Sequence, residues 1–309
     1  MIPIKIVSSK QLKMIWQLTT ACTYACDYCP KELHEGSSKT VDLGELEEFL
    51  DKFKDREFTI NFTGGEPTIH PQFLDIVKVL KKRNIKIIVD TNLSRSLRFY
   101  QEAGPLVDNW CVTLHPSEHT FDIGKIQALS PVSYTVVYVM MDPRHWEKAM
   151  SWWTELQSVS RIKLIVLKPL SNWSNSGWYY KHTKEQQDFY NTTKPIYTFT
   201  DQELAELSAE YAWLKDLGSK ITWSTGEETA IDIDQLMKQD LHKFKGWSCE
   251  AGNEVIVIEP GCDVSLATCG TRHLGHWSKF DISQLEQSFI CPRDYCHCGI
   301  DIKATKTKI

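Results

Sequence analysis

The sequence predicts an α/β fold: a partial (β/α)6 TIM-like barrel over residues 1–240, followed by a small C-terminal β-hairpin domain over residues 241–309. Short β-rich runs alternate with helical patterns through the first two-thirds of the chain, and the runs are almost continuously apolar, as in parallel strands buried on both faces. From Trp247 onward the composition shifts to glycine, cysteine and short strands. Such a parallel sheet is either open and doubly wound or curled into a partial barrel, and we predict the partial barrel.

Six strands are expected in this alternation, at residues 14–18, 58–62, 85–89, 110–114, 134–141 and 162–167. Three helical segments between them show apolar residues at helical spacing. Their apolar faces comprise Leu46, Phe49, Leu50 and Phe53 in the first, Phe73, Ile76, Val77 and Leu80 in the second, and Trp146, Ala149, Met150 and Trp153 in the third. Asp42 is expected to cap the first helix, with Glu45 completing a capping box.

Residues 171–199 interrupt the alternation with a polar, aromatic-rich segment. It is either a surface loop whose aromatic side chains pack on the body of the protein, or a lid or wall of a substrate cavity. A helix capped by Thr200 and ended by Gly218 is expected next. The charged stretch at residues 225–245 is expected to form a linker helix.

Charge and hydropathy exclude several classes of protein. The net charge is −5, from 35 Lys and Arg against 40 Asp and Glu, so general nucleic-acid binding is not expected. The apolar runs are far too short for a membrane span, and no membrane partner is expected. The N-terminus lacks the basic start, apolar core and cleavage site of a secretory signal, and we therefore expect a cytoplasmic protein.

The ten cysteines are unusual in their distribution. Three lie between positions 22 and 29, six lie between 249 and 298, and only Cys111 stands between the two groups. In a reducing compartment, clustered thiols are more often metal ligands than disulfides. The sequence therefore predicts two metal sites.

The first group, Cys22, Cys26 and Cys29, forms a CxxxCxxC run directly after the first expected strand. Three cysteines can hold three irons of a cubane cluster and leave the fourth iron open to a substrate or cofactor. Two alternatives remain for the loop by itself. It is a zinc site, with His34 as a nearby fourth ligand, or a set of free core cysteines.

Gly64, Gly65 and Glu66 end the second expected strand, where parallel α/β folds bind ligands. Paired glycines let a ligand approach the backbone, and a carboxylate beside them can hold an ammonium group. A tight strand–helix turn uses the same residues, so the motif is weak alone and strong in combination with the cysteine loop.

Together the two motifs resemble the radical S-adenosylmethionine (SAM) superfamily, whose hallmark is this cysteine spacing after the first strand. A GGE-type motif after the second strand is its usual companion. The resemblance implies that Cys22, Cys26 and Cys29 bind a [4Fe–4S] cluster. It also implies that SAM chelates the open iron through its amino nitrogen and carboxylate oxygen.

Further SAM contacts follow from the same resemblance. Residues 64–66 are expected to hold the methionyl amino end, and Tyr28, just before the third cysteine, matches the position that contacts adenine. Asn92, after the third expected strand, is a candidate ribose contact, although a turn residue has the same sequence signature. His115 follows the fourth strand and either reaches the same barrel mouth or caps a loop.

The chemistry implied by the resemblance is one-electron chemistry. The reduced cluster cleaves SAM to a 5′-deoxyadenosyl radical, which abstracts hydrogen from a substrate, and the protein supplies geometry and excludes water and oxygen. An external electron donor such as flavodoxin or ferredoxin is the implied partner.

The second cysteine group resembles the twitch or SPASM-type extension of radical SAM enzymes, which holds one or two auxiliary [4Fe–4S] clusters. Residues 253–258 and 263–266 flank a Pro260-Gly261 turn, as in a β-hairpin. Cys249 and Cys269 are the expected ligands on either side of it, with two more from Cys291, Cys296 and Cys298. Six cysteines suffice for one cluster but not two, and Cys262 is expected to be spare.

A zinc ribbon is the alternative for this tail. The CxC spacing of Cys296 and Cys298 departs from the CxxC that is usual in such extensions, which leaves the last ligands open. A bound metal also explains how a short tail can fold with little core.

Three functions follow from these observations. The first is a radical SAM enzyme that acts on a small molecule or a nucleoside- or nucleotide-like compound. It is favoured because no peptide-clasping domain is recognisable before the first expected strand. The second is a peptide- or protein-modifying radical SAM enzyme that catalyses dehydrogenation, thioether formation or epimerisation. The third is a non-catalytic zinc or iron–sulfur protein.

Overall fold

The structure is a computed structural model that describes residues 2–8, 11–118, 122–129, 131–159, 164–169, 171–172, 178–193, 219–231, 233–285, 288–296 and 298–309. The helix expected between Thr200 and Gly218 and parts of the 171–199 segment lie outside these ranges. Within the described ranges, no helix is both long and apolar enough to cross a bilayer.

The strands, in chain order, are β1 (Pro3–Ser8), β2 (Leu12–Ala21), β3 (Glu35–Ser38), β4 (Phe58–Gly64), β5 (Lys86–Thr91), β6 (Asn109–Leu114), β7 (Tyr134–Met141), β8 (Leu164–Pro169), β9 (Ser171–Asn172), β10 (Trp178–Tyr179), β11 (Ser219–Trp223), β12 (Glu228–Ala230), β13 (Ser248–Cys249), β14 (Val255–Ile258), β15 (Asp263–Leu266), β16 (Arg272–His276), β17 (Phe289–Ile290) and β18 (Lys306–Thr307). The α-helices are α1 (Leu43–Asp51), α2 (Phe73–Lys82), α3 (Leu97–Ala103), α4 (Ile123–Leu129), α5 (Trp146–Leu156), α6 (Lys184–Thr193), α7 (Ile233–Lys238), α8 (Ala251–Glu254) and α9 (Gly299–Lys303).

Contacts divide the chain into two compact units, which we call the sheet unit and the terminal unit. The sheet unit comprises Trp16–Thr40 and Ile60–Pro195, and the terminal unit comprises Met1–Ile15, Val41–Thr59 and Ile196–Ile309. The predicted functional boundary near residue 240 stays a prediction.

The sheet unit is built on strands ordered β2, β4, β5, β6, β7 and β8, with β3 antiparallel to β2. The pairs β5–β6, β6–β7 and β7–β8 are parallel. Strands β6 and β7 pair without a register shift, from Asn109 beside Tyr134 to Leu114 beside Val139. Their carboxyl ends therefore meet at one edge, where ligands bind in such folds. The predicted α/β class is confirmed.

The apolar strands and helix faces account for the core of this unit. Strand β7 covers the expected residues, and seven of its eight residues are buried. Helix α2 buries the expected face of Phe73, Ile76, Val77 and Leu80. The first expected strand, at residues 14–18, corresponds to β2, which is longer than predicted. It is the second strand in the chain, since β1 was not predicted from the sequence.

The expected face of α5 is partly wrong. Helix α5 buries Ala149, Trp152 and Leu156. Of the expected face, Trp146, Met150 and Trp153 are only half-buried. The indole of Trp146 packs edge-on against Phe189 of α6, with ring centroids 5.7 Å apart. The side chain therefore serves a helix–helix contact that sequence periodicity does not reveal.

The terminal unit holds an antiparallel sheet of order β12, β11, β1, β18, β13 and β17. The predicted hairpin is confirmed, because β14 and β15 pair antiparallel from Ile256 beside Leu266 to Ile258 beside Val264. Its turn has left-handed backbone at Gly261 and Cys262, with φ of 101° and 69°. In this unit α1 is capped by the Asp42 carboxylate, as expected, whereas the Glu45 carboxylate accepts a hydrogen bond from Trp277 Nε1.

Candidate functional site

The cysteine loop begins where β2 ends, at the carboxyl edge of the sheet. The amide of Cys29 donates to the carbonyl of Cys26 at 2.9 Å, and the amide of Tyr24 donates to Cys22 Sγ at 3.4 Å, so the loop turns back on itself. All three thiols are free of disulfides. Cys26 and Cys29 also line a cavity of about 510 Å³.

Burial controls the protonation of these thiols. It raises the pKa of Cys22, and it raises the pKa of Cys26 to about 12 and that of Cys29 to about 11. The metal-free thiols are therefore protonated at neutral pH, and a metal must displace their protons when it binds.

The glycine pair lies directly against the strand that leads into this loop. The amide of Gly65 donates to Thr19 O and that of Glu66 donates to Ala21 O, each at 2.8 Å. A Cβ on Gly65 would lie 2.0 Å from Ala21 O, and one on Gly64 would lie 2.2 Å from Thr19 O. Gly64 also has a φ of 121°. Two glycines are thus required by the close approach of β2 and β4, whatever ligand binds there.

The carboxylate of Glu66 is 1% exposed and accepts hydrogen bonds from within the protein. Thr68 donates through its amide at 3.1 Å and through its hydroxyl, Thr91 Oγ1 donates at 2.8 Å, and the Asn92 amide donates at 2.6 Å. Burial raises the pKa of this carboxyl, and the donors oppose that effect. The carboxylate thereby braces the end of β5, and its expected contact with the SAM ammonium stays a prediction.

Asn92 connects the end of β5 to the cysteine loop. Its side-chain amide donates to Cys22 Sγ at 3.4 Å and to Thr23 Oγ1 at 3.0 Å, and its Oδ1 accepts from the Ser94 amide at 3.0 Å. Asn92 therefore stabilises a turn and also lies beside the cysteine loop. Its position is compatible with both roles expected from the sequence, a turn residue and a ribose contact. Its contact with ribose stays a prediction.

Tyr28 and His115 meet at the carboxyl edge of the sheet. Their rings stack with centroids 5.9 Å apart, and the Tyr28 hydroxyl bonds His115 Nδ1. Tyr28 packs in a small apolar cluster with Cys26, Met140 and Tyr180. Because Tyr180 comes from the aromatic-rich segment, this part of the segment packs against the cysteine loop, which is compatible with both a loop packed on the body of the protein and a cavity wall.

Arg144 and Asp142 were missed in the sequence, and together they anchor the cysteine loop. The Arg144 guanidinium binds both carboxylate oxygens of Asp27, at 2.5 and 3.1 Å, and both oxygens of Asp142, at 3.0 and 2.8 Å. It also lies 4.7 Å from the ring centroid of Tyr180. Arg144 lowers the pKa of Asp27 through these bonds. The one available signal was an aspartate directly after the apolar strand β7.

A second set of cysteines lies in the terminal unit. Cys249, Cys269, Cys291 and Cys296 line one pocket, together with Asp301 and Lys306. Burial raises the pKa of the Cys249 and Cys296 thiols, and the nearby Lys306 ammonium opposes the rise. Four free thiols therefore surround one space.

Cys298 and Cys262 are not among the residues that line this pocket. Cys298 precedes α9 as its N-cap residue. Burial raises the pKa of its thiol, and hydrogen bonds from the Thr268 side chain and the amides of Asp301 and Ile300 oppose the rise. Cys262 lies in the β14–β15 turn, where its carbonyl accepts from the Trp277 amide at 2.9 Å. Among the described residues, no three Cys, His, Asp or Glu side chains converge tightly enough to enclose a single metal ion.

Fold and site together define an α/β protein with a three-cysteine loop at the carboxyl edge of its parallel sheet. Residues 16–122 match the Radical SAM superfamily. The chain therefore carries a radical SAM domain, a domain of enzymes that use a [4Fe–4S] cluster and SAM.

Two curated proteins are similar to part of this chain. The tungsten-containing aldehyde ferredoxin oxidoreductase cofactor-modifying protein of Pyrococcus furiosus is 35% identical over 80 residues, which are 25% of this chain and 22% of that protein. An S-adenosylmethionine-dependent nucleotide dehydratase of Selenomonas ruminantium is 33% identical over 87 residues, which are 28% of this chain and 31% of that protein. Each alignment thus spans less than a third of the relative.

Among solved structures, Streptococcus suis SuiB has a similar fold, with a TM-score of 0.57 at 12% identity. The similarity covers 90% of this chain and 66% of SuiB. SuiB has also been crystallised with its precursor peptide, SuiA.

Proposed function

We propose that this protein is a radical SAM enzyme that abstracts hydrogen from a small nucleoside- or nucleotide-like substrate, assisted by an auxiliary [4Fe–4S] cluster. The observation that carries the proposal is the hydrogen bonding of the Gly64–Gly65–Glu66 turn to the end of β2, where the three-cysteine loop begins. The Gly65 amide donates to Thr19 O and the Glu66 amide donates to Ala21 O, the residue before Cys22.

Cys22, Cys26 and Cys29 are the proposed ligands of the first cluster. Three thiols suit a cubane whose fourth iron takes SAM, whereas a zinc site needs a fourth ligand close by. When bound, the cluster and SAM supply a 5′-deoxyadenosyl radical through one-electron cleavage. The Asn92 amide would donate to the Cys22 sulfur, as it does to the thiol at 3.4 Å, and such a bond stabilises a thiolate ligand.

The remaining residues at this edge would position SAM and exclude water. The backbone at Gly64 and Gly65 is the candidate for the methionyl end, because the Glu66 carboxylate already accepts bonds from Thr68, Thr91 and Asn92. Tyr28 is the candidate for the adenine contact, with its orientation held by stacking on His115.

Cys249, Cys269, Cys291 and Cys296 are the proposed ligands of the auxiliary cluster. They line one pocket, and a fully ligated cubane needs four thiolates. We leave Cys298 out because it is not among the residues that line this pocket. A cluster with four thiolates has no open iron, so its proposed role is electron transfer rather than substrate binding.

The substrate class rests on the nucleotide dehydratase of Selenomonas ruminantium, which is 33% identical to this chain over 87 residues. The alternative is a peptide substrate, which the fold shared with SuiB favours. An external flavodoxin or ferredoxin is the proposed electron donor in either case.

Anaerobic reconstitution tests the proposal. We expect about eight irons per chain and dithionite-dependent 5′-deoxyadenosine, because two cubanes hold four irons each. Cys26→Ala should abolish deoxyadenosine formation, and the matched control Cys262→Ala should change neither iron content nor SAM cleavage. Wild-type protein that binds iron but releases no deoxyadenosine would contradict the enzymatic function.

The substrate class needs a separate measurement. Labelled nucleosides, nucleotides and short peptides are incubated with the reconstituted enzyme, and deuterium in 5′-deoxyadenosine is read by mass spectrometry. Transfer from a nucleotide supports the proposal, and transfer from peptides alone supports the alternative.

A further inference from the structure

The pocket of the four cysteines contains a buried lysine that the proposed chemistry does not yet use. Lys306 lies on β18, is 1% exposed, and lines this pocket with Cys249, Cys269, Cys291 and Cys296. A buried ammonium is costly unless hydrogen bonds and an opposite charge stabilise it.

The hydrogen bonds of Lys306 come from the carboxyl end of α9 and the residues after it. Its Nζ donates to Asp301 O, to Ala304 O at 3.1 Å and to Ile302 O at 3.5 Å. It also lies 5.3 Å from the ring centroid of Phe244. These groups fix the position of the ammonium. All of them are neutral, and none is a carboxylate.

Asp301 is the buried acidic residue closest to Lys306 in the sequence, but the hydrogen bonds of its carboxylate come from other residues. It accepts from the Thr268 amide at 3.1 Å, from Thr268 Oγ1 at 2.5 Å and from the Cys269 amide at 3.1 Å. The residue is 3% exposed. Two buried groups of opposite charge thus line the cysteine pocket, and each has its own hydrogen-bond partners.

We propose that Lys306 and Asp301 set the reduction potential of the auxiliary cluster, in opposite directions. The inference rests on the proposed ligation by Cys249, Cys269, Cys291 and Cys296. A [4Fe–4S] core with four thiolates carries a charge of about −2 when oxidised and about −3 after it accepts one electron. A fixed ammonium stabilises the more negative reduced form, and a fixed carboxylate destabilises it, because neither is screened by water at this depth.

Arg293 provides an internal control for burial. Its guanidinium donates to Cys269 O at 2.8 Å and it lines the same pocket, but its side chain is exposed. Solvent and salt screen an exposed charge. Removal of this cation should therefore shift the potential much less than removal of Lys306.

The test uses the full chain with Cys22, Cys26 and Cys29 all changed to alanine, so that only the auxiliary cluster remains. Its potential is measured by titration with dithionite, monitored by electron paramagnetic resonance. In this background Lys306→Met should lower the equilibrium constant for reduction at least tenfold, which is 59 mV for a one-electron couple. Asp301→Asn should raise it, and Lys306→Arg should keep the parent value.

The outcomes separate this inference from the proposed function. If the parent variant binds no [4Fe–4S] cluster, the auxiliary cluster and this inference are both wrong. If the cluster is present but Lys306→Met and Asp301→Asn leave its potential unchanged, or shift it in the same direction, only the inference is wrong. If Lys306→Met fails to assemble a cluster, the upward shift in Asp301→Asn decides the question.

Discussion

Substitution of Arg144 by methionine perturbs the contact that anchors the cysteine loop to the end of β7. Methionine keeps much of the apolar stem but removes the guanidinium that binds Asp27 and Asp142 and lies over Tyr180. The two carboxylates differ in exposure, and this difference determines the expected magnitude.

The ion pair between Arg144 and the buried Asp142 accounts for most of the expected loss in the free energy of unfolding. The Asp142 side chain is 1% exposed, so loss of its cation leaves a buried charge unpaired, which costs about 3–5 kcal/mol in a dry site. Because the Arg144 side chain is 40% exposed, water relieves part of this cost, and we expect about 2–3 kcal/mol. The Asp27 side chain is 57% exposed, and its pairing contributes at most about 1 kcal/mol.

The assay is anaerobic urea denaturation of the metal-free protein at neutral pH under reducing conditions. Arg144→Met should lower the free energy of unfolding by about 3 kcal/mol, and the control Asp27→Asn should lower it by less than about 1 kcal/mol. The reconstituted Arg144→Met protein should also hold its first cluster less tightly, since Asp27 lies between two of the ligands.

Two results would refute this reasoning. An Arg144→Met protein as stable as the wild type would mean that Asp142 is solvated without its cation. An Asp27→Asn protein as unstable as Arg144→Met would mean that the exposed half of the contact carries the energy.

Two further predictions concern Lys13 and Gly65. Burial lowers the pKa of Lys13 from 10.5 to about 8, so the folded state releases a proton that the unfolded chain retains, and stability rises with pH between those values. Lys13→Met should therefore raise the free energy of unfolding at pH 7 by about 2–3 kcal/mol, with the gain vanishing above about pH 10; equal stability of the two proteins at pH 7 would contradict this. Gly65→Ala places a Cβ 2.0 Å from Ala21 O and 2.9 Å from Leu33 O, so thermal unfolding should show a loss of at least about 3 kcal/mol, whereas Gly44→Ala in α1 should be nearly neutral. A stable Gly65→Ala protein with full iron content would show that β2 and β4 can move apart.

Sequence periodicity predicted well those strands and helices that pack against a uniformly apolar layer. Strand β7 and helix α2 bury the residues that their own patterns specify, because both faces of the strand and one face of the helix pack against continuous apolar layers. Helix α5 differs because Trp146 meets Phe189 from a segment of irregular sequence. Strand β1 was missed because its six residues join a sheet whose other strands lie far away in the chain.

The residues of the candidate site also divide into those that local sequence spacing indicated and those that it did not. The spacing of Cys22, Cys26 and Cys29 indicated a metal-binding loop, and the Gly64–Gly65–Glu66 motif made it a cluster loop, because ligands to one small group can be supplied by one short stretch of chain. The contact of Arg144 with Asp27 joins residues 117 positions apart, and nothing local marks either residue as a partner.

The sequence by itself determined the α/β class, the cysteine loop and its glycine-rich companion, since these depend on local spacing and on short-range alternation. Only the tertiary structure decided which four C-terminal cysteines line one pocket, and that Lys306 is buried beside them. The physical reason is that burial and charge pairing depend on the distances between side chains in space, which the order of residues along the chain does not specify.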